Sequence, residues 1–299
     1  MIKVCGVTKY FDDFKVIDDI SMHVRKGTIY GLVGPNGAGK TTIINHINGV
    51  LTPKCGEIFI DGQPVFENES VKQRVLNISD DWFYYSTFTI RDMAKFYRSI
   101  YPNFSTERYK AIGEVFHINE KRQIRKLSKG MKKQVAFWLS LSAMPDVLIL
   151  DEPLDGLDPV MRKQVLGMVI ADVADREMTV LVSSHNLREL EDICDWVGII
   201  HEGRMILEKP LDDLKGNVHK YQIVLEHEND DAFANVENVL HVSKTGSVYN
   251  VIIRGDAEKI DAQIRDLAPT LCECVSLTLE EVFIYELGGL GYDCKNILI

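Results

Sequence analysis

The run Gly34-Pro35-Asn36-Gly37-Ala38-Gly39-Lys40-Thr41-Thr42 has the spacing GxxxxGK[ST], and the chemistry of that spacing is phosphate binding. Glycines at 34, 37 and 39 admit backbone angles closed to residues with a Cβ. Successive N–H groups can therefore turn inward on phosphate oxygens at the positive end of a following helix. Lys40 adds a mobile cation for the β- and γ-phosphates, and the Thr41 hydroxyl is a ligand for Mg²⁺. A glycine-rich turn that merely caps a helix would explain neither the Lys-Thr pair nor the apolar run Thr28 to Val33 before it.

Four further groups could complete a nucleotide site. Val147-Leu148-Ile149-Leu150 runs into Asp151-Glu152-Pro153, which sets two carboxylates at the end of a buried strand, the edge where α/β sheets bind ligands. Asp151 can hold Mg²⁺, and Glu152, directed differently, can take a proton from an attacking water. Leu127-Ser128-Lys129-Gly130-Met131 precedes a helix, so Ser128 and the Gly130 N–H form a second anion site, or a plain N-cap. Ser183-Ser184-His185 ends the next strand at the same edge, where His185 can reach a γ-phosphate. Asp155-Gly156-Leu157-Asp158 lies close behind the carboxylates, with Asp158-Pro159 in the form of a helix start.

The elements that must carry these residues follow from periodicity. Strands are expected at Ile2–Val7, Val16–Val24, Thr28–Val33, Glu57–Ile60 and Val75–Ser79. Helical spacing then runs from Thr89 to about Ala143, broken at Pro102 and near Asn119. Strand and helix alternate afterwards: Asp146–Leu150, Pro159–Asp175, Met178–Ser183, Leu187–Cys194 and Val197–His201, the pattern of a parallel sheet flanked by helices. Beyond Lys215-Gly216-Asn217 the order restarts as βαββαβ, a ferredoxin-like unit: strand His219–Leu225, helix Asp230–Asn235, a hairpin of Val239–Ser243 and Val248–Arg254, helix Asp256–Leu267 and strand Thr270–Leu277. Leu279–Leu287 reads as a final helix. The domains expected are residues 1–215, with a helical insert at about 85–143, and an acidic accessory domain at 216–299.

Composition bounds the function. A chain of 299 residues with 45% hydrophobic content suggests about two globular domains. No apolar run approaches the roughly 18 residues of a membrane span, and the start lacks the layout of a signal peptide, so a cytosolic location is expected. Net charge is −10, and residues 216–299 hold most of it, with 6 Lys+Arg against 14 Asp+Glu. Neither part is basic, which argues against nucleic acid as a partner. Six scattered cysteines read as reduced thiols, and Cys272-Glu273-Cys274, alternating in a strand, as packing residues rather than metal ligands.

Residues 1 to about 215 resemble the ATP-binding subunits of ABC transporters, because these motifs occur in that family's order and at its separations. The resemblance implies a P-loop ABC ATPase fold: a β-rich subdomain, a RecA-like α/β core and a helical subdomain. Gly34–Thr42 is then the Walker A loop, Leu127–Met131 the signature, Asp151 the Walker B carboxylate, Glu152 the catalytic base, Asp155 part of the D-loop and His185 the switch residue. Phe11 aligns with the aromatic residue that stacks on adenine, with Tyr10 the neighbouring candidate. Two departures stand out. The signature reads LSKGM where the family usually has LSGGQ, and Asp80, flanked by Ser79 and Asp81 as alternatives, falls where the family usually has a glutamine near Mg²⁺.

The same resemblance implies a head-to-tail dimer, homo- or heteromeric, in which one chain's signature covers ATP on the other's Walker A loop. It also implies integral membrane permease subunits as partners and a peripheral location on the inner face of the membrane. The aromatic segment Trp82-Phe83-Tyr84-Tyr85, with Phe88, Phe96 and Tyr97, lies where the family takes a short helix of the permease; Phe96 and Tyr97 are expected inward and some of Trp82–Tyr85 exposed. Ser276–Phe283 resembles the ending of exporter ATPases. The alternative is an ATP-gated regulatory module that transports nothing.

Overall fold

The structure is a computed structural model that describes residues 1–79, 82–154, 156–215, 218–226 and 232–288. The chain opens with β1 (Ile2–Phe11), β2 (Phe14–Val24), β3 (Ile29–Val33), α1 (Lys40–Ile47), β4 (Cys55–Ile60), β5 (Gln63–Pro64), α2 (Glu69–Lys72) and β6 (Val75–Ile78). Three helices follow: α3 (Ile90–Ile100), α4 (Thr106–Phe116) and α5 (Lys129–Ser142). Next come β7 (Val147–Asp151), α6 (Pro159–Arg176), β8 (Thr179–Ser184), α7 (Leu187–Glu191), β9 (Trp196–His201), β10 (Arg204–Pro210) and α8 (Leu211–Lys215). The chain then runs through β11 (Val218–Val224), β12 (Val239–Thr245), β13 (Val248–Arg254), α9 (Ala257–Asp266), β14 (Leu271–Val275) and α10 (Leu279–Gly288). Two compact units divide it: residues 1–186 with 193–208, and residues 187–192 with the chain from Lys209 onward.

The first unit holds two sheets. An antiparallel sheet of order β2-β1-β4-β5 packs its apolar face, with Ile2, Ile17 and Ile58, into a core shared with Ile43 and Ile47 of α1 and Leu181 of β8. The second sheet runs β10-β9-β3-β8-β7-β6, and β9, β3, β8, β7 and β6 pair in parallel. Every residue of β3, β7 and β8 is buried, which is why these strands read as largely apolar up to the polar C-terminal ends of β7 and β8. Because they are parallel and adjacent, their C-terminal ends, Val33, Asp151 and Ser184, share one sheet edge.

The helical segment breaks between α3 and α4 at Pro102, as its spacing indicates. Thr89 and Asp92 cap α3 reciprocally, and the α4–α5 contact is tight enough that a Cβ on Gly113 would lie 2.4 Å from Trp138. Trp138 stacks on Tyr109 at 4.8 Å and its indole N–H donates to the Tyr109 carbonyl at 2.6 Å. Tyr97 is buried and accepts from the Trp82 indole at 3.0 Å, while Phe83 is 64% exposed.

Two strands escaped the periodicity, the two-residue β5 and β10. β10 follows Glu202-Gly203, both at positive φ (47° and 75°), a two-residue turn whose first position has no glycine to mark it.

The second unit is a four-stranded antiparallel sheet of order β12-β13-β11-β14. That order is the ferredoxin-like arrangement of two split halves. Tyr221, Ile223, Val251 and Ile253 of its strands bury themselves with Ile260 and Ile264 of α9. Two expectations fail here. Residues 232–235 form turns rather than part of a helix, because Phe233 and Val236 both dock into this core, joined by a Val236 N–H to Phe233 carbonyl bond of 3.1 Å, and a single turn suffices to seat them; the start of the expected helix, Asp230, lies outside the described residues. Cys272 and Cys274 are exposed rather than packed, because β14 is an edge strand.

Candidate functional site

The glycines of the loop after β3 have different jobs. Gly37 and Gly39 sit at φ +81° and +106°, in the left-handed half of conformational space. Gly34 does not; a Cβ there would lie 2.2 Å from the Ile200 carbonyl oxygen, so it is glycine because β9 passes against it. Pro35, Asn36 and Ala38 complete the loop, whose Ala38 N–H donates to the Pro35 carbonyl at 3.1 Å. Lys40 opens α1 and turns back over the loop, donating to the carbonyls of Gly34 at 2.7 Å and Pro35 at 3.2 Å. Its ammonium is 3.6 Å from Glu152 Oε1. Burial pushes the Lys40 ammonium below the ordinary lysine range, against the opposing pull of the Glu152 and Asp151 carboxylates.

The carboxylates of β7 meet this loop from the side. Asp151 is the last, buried residue of the strand, not the first of a turn; its Oδ2 accepts from Thr41 Oγ1 at 2.9 Å and its Oδ1 from Ser183 Oγ at 2.5 Å. Thr42, next on α1, turns its carbonyl to His46 Nδ1 at 2.7 Å. Glu152 follows at φ +48°, left-handed although it precedes a proline, a conformation that costs on the order of 1–3 kcal/mol. Three hydrogen bonds hold its backbone there. Its N–H donates to the Ser183 carbonyl and Oγ, each at 3.3 Å, and its carbonyl accepts from Lys133 Nζ at 2.7 Å. Its Oε2 lies 2.9 Å from His185 Nδ1, so with the carboxylate ionised Nδ1 carries the proton.

Five side chains named from the sequence, Lys40, Thr41, Asp151, Glu152 and His185, are thus joined through one sheet edge. Ser128 stands apart, exposed, as N-cap of α5, accepting from the Met131 N–H at 3.3 Å. Gly130 packs so closely behind the carboxylates that a Cβ would lie 2.8 Å from the Gly156 carbonyl. Asp158 caps α6 by accepting from the Val160 and Met161 N–H groups, both at 3.0 Å. Phe11 is 46% exposed at the tip of the β1–β2 hairpin, with Lys9 over its ring at 5.5 Å; Tyr10 lies beneath Lys54 at 4.7 Å. Asp80 and Asp155 lie outside the described residues.

Two residues central to this geometry were not singled out as site residues in the sequence. Ser183 bonds both carboxylate positions, and the signal for it was the hydroxyl at the end of an apolar strand beside β7. Lys133 reaches Glu152 from α5, a contact that no local pattern announces.

The sequence profile of the ABC transporter family matches residues 17–155. The ABC transporter ATP-binding protein YtrB of Bacillus subtilis (strain 168) is 32% identical over 289 residues, 97% of this chain and 99% of that protein. The chain belongs to the ABC transporter ATP-binding family. This ABC ATPase is also 36% identical over 221 residues to the bacitracin transport ATP-binding protein BcrA of Bacillus licheniformis, covering 72% of this chain and 71% of BcrA. Among solved structures, an ATP-binding subunit of an ABC transporter superposes with a TM-score of 0.68 at 27% identity, over 72% of this chain and 92% of that one. The ABC ATPase binds ATP, and its activity is ATP hydrolysis in transport. Among the described residues no helix is long and apolar enough to cross a membrane.

One titratable group inside α1 ties the fold to pH. Burial holds the His46 imidazole below its ordinary range, against the opposing pull of its hydrogen bond to the Thr42 carbonyl. Between the lowered value and the ordinary one of about 6.5 the unfolded chain binds more protons, so stability falls as pH drops through that window. The thermal midpoint of the protein is expected to fall between about pH 7.5 and 5.5, and by less in His46→Gln. Equal losses in both proteins would remove His46 from the explanation.

Proposed function

We propose that two copies of this chain close head to tail on ATP, each site being completed by the other chain's signature, and that closure and hydrolysis drive separate membrane permease subunits. The observation that carries this is the split between an assembled half-site on the sheet edge and an exposed second anion site at the start of α5. By motif order residues 1–215 are the nucleotide-binding domain, with its helical insert at about 85–143, and residues 216–299 an accessory one, with whose compact unit residues 187–192 and 209–215 also cluster.

The loop from Gly34 to Thr42 cradles the phosphates. Lys40, now shared among two carbonyls and Glu152, turns to the β- and γ-phosphates, and a triphosphate competes with Glu152 for it. Thr41 and Asp151 fit Mg²⁺: both offer oxygen, the ligand this cation prefers, and they already meet through one hydrogen bond. The cation, when bound, neutralises charge on the transferring phosphoryl group. Asp80 and Asp155 are assigned to the same site by their place in the motif order. Glu152 accepts the proton of the attacking water, His185 orients Glu152 and contacts the γ-phosphate, and the partner's Ser128 and Gly130 N–H close over that phosphate. Phe11 stacks on the base.

The permease reading is supported by an aromatic cleft of about 430 Å³ in the first unit, lined among others by Trp82, Phe83, Phe96, Tyr97 and Tyr101. It suits a short helix with an apolar face. The Leu279-Glu280-Glu281-Val282-Phe283 run supports export, and attachment through the permease supports a peripheral location on the inner face of the membrane. Affinity-tagged chain recovered from membranes is expected to bring down a multi-span protein, and Phe83→Asp to reduce that recovery by about tenfold or more while sparing ATP turnover of the isolated subunit. Recovery of no such protein by the unsubstituted chain favours the regulatory alternative.

A further inference from the structure

The helix that follows the switch histidine belongs to the second unit. α7 begins two residues after His185, yet residues 187–192 cluster with the chain from Lys209 onward. Five residues make little more than one turn, too short to be stable alone, so α7 depends on what it packs against. Its partner is α10. Leu187 and Leu190 are buried on α7, and Leu279 and Val282 on α10.

The polar contacts add direction to this packing. Glu191, the last residue of α7, accepts through Oε2 from the Leu279 N–H, the first of α10, at 3.1 Å. Arg188 reaches Glu280 Oε2 at 3.1 Å. α10 is itself anchored: Glu281 accepts from the Thr278 N–H and Oγ1 at 3.0 and 3.2 Å, and from Lys220 of β11 at 2.6 Å. On the other side of His185 the chain is equally tied, because the Asn186 N–H donates to Ser184 Oγ at 2.9 Å and that hydroxyl donates to the Asn186 carbonyl at 3.2 Å. The chain from Ser184 to Asn186 is thus held by its own hydrogen bonds up to the residue before α7.

We infer that the C-terminal unit sets the rate of ATP hydrolysis by fixing α7, so that Glu191 and α10 are positioning elements for His185. This rests on the reading of Glu152 and His185 as the hydrolytic pair. A hydrogen bond of 2.9 Å tolerates little drift, and a misplacement of about 1 Å at a catalytic group can cost up to about 10²-fold in rate.

The test is steady-state ATP turnover of the full chain carrying Glu191→Ala or Glu191→Gln, each with His185 intact and with His185→Ala. Glu191→Ala removes the acceptor of the Leu279 N–H at the start of α10 and is expected to lower kcat by about 3- to 10-fold with KM changed by less than about twofold. Glu191→Gln, which keeps an acceptor oxygen, is expected to retain most of the rate. In the His185→Ala background Glu191→Ala is expected to cost less than about 1.5-fold more, because the two changes act through one group. An unchanged kcat in Glu191→Ala, or equal losses in both backgrounds, overturns the positioning role alone. Undiminished turnover in His185→Ala by itself overturns the hydrolytic reading, and this one with it.

Discussion

Glu152→Gln is expected to cut ATP turnover by about 10²- to 10⁴-fold, the usual worth of a general base, while ATP affinity stays within about twofold. The asymmetry follows from geometry. The substitution keeps the shape of the side chain, and an amide oxygen can still accept from His185, so the phosphate loop and the backbone bonds to Ser183 and Lys133 are untouched. What disappears is an oxygen that can take a proton. Lys40 also loses the nearby charge at 3.6 Å, which leaves it freer for phosphate and keeps binding from weakening. Turnover measured by phosphate release, beside equilibrium binding of a fluorescent ATP analogue, separates the two quantities. Undiminished turnover would remove Glu152 from the mechanism.

Gly34→Ala is expected to damage nucleotide binding far more than Gly37→Ala, although both lie in the same loop. At position 34 the new Cβ would sit 2.2 Å from the Ile200 carbonyl oxygen and 2.9 Å from Ile200 Cγ2. A backbone carbonyl in a paired strand cannot step aside, so the loop must move, and overpacking of this kind typically costs about 1–3 kcal/mol before the displaced N–H groups are considered. Displaced N–H groups also lose hydrogen bonds to a charged acceptor, worth about 1.5–3 kcal/mol each, so ATP affinity is expected to fall by about 10²-fold. At position 37 nothing lies within 4 Å, and the cost is that of a left-handed angle for an L-residue, about 1–2 kcal/mol, or about tenfold. Thermal midpoints and ATP dissociation constants of the two variants decide between them, and equal effects would contradict the packing explanation for Gly34.

The contrast between those two glycines shows where the sequence was legible. The spacing of the loop, the apolar run into Asp151-Glu152 and the Ser183-Ser184-His185 strand end each state their chemistry locally, because a parallel strand buried on both faces must be apolar until the edge where its ligands sit. The same local logic set Asp158 as a cap and Pro102 as a break. What was not legible is contact between distant segments. Gly34 is constrained by Ile200, Glu152 is held by Lys133 and Ser183, and α7 is claimed by α10; none of these pairings leaves a periodic trace. The expected helix at Asp230–Asn235 had polar helix-compatible spacing, but Phe233 and Val236 serve as anchors for a turn instead. Cys272 and Cys274 alternate as core residues would, yet an edge strand leaves them exposed, and strand order is a property of the whole sheet.

A shared site between two chains is tested most directly by the molar mass of the Glu152→Gln protein in solution with saturating ATP and Mg²⁺, measured by light scattering. With hydrolysis blocked, a particle of twice the mass of the chain is expected to form on ATP addition, and adding Ser128→Arg to the same protein is expected to prevent it. A Glu152→Gln protein that binds ATP and remains a monomer contradicts the composite site.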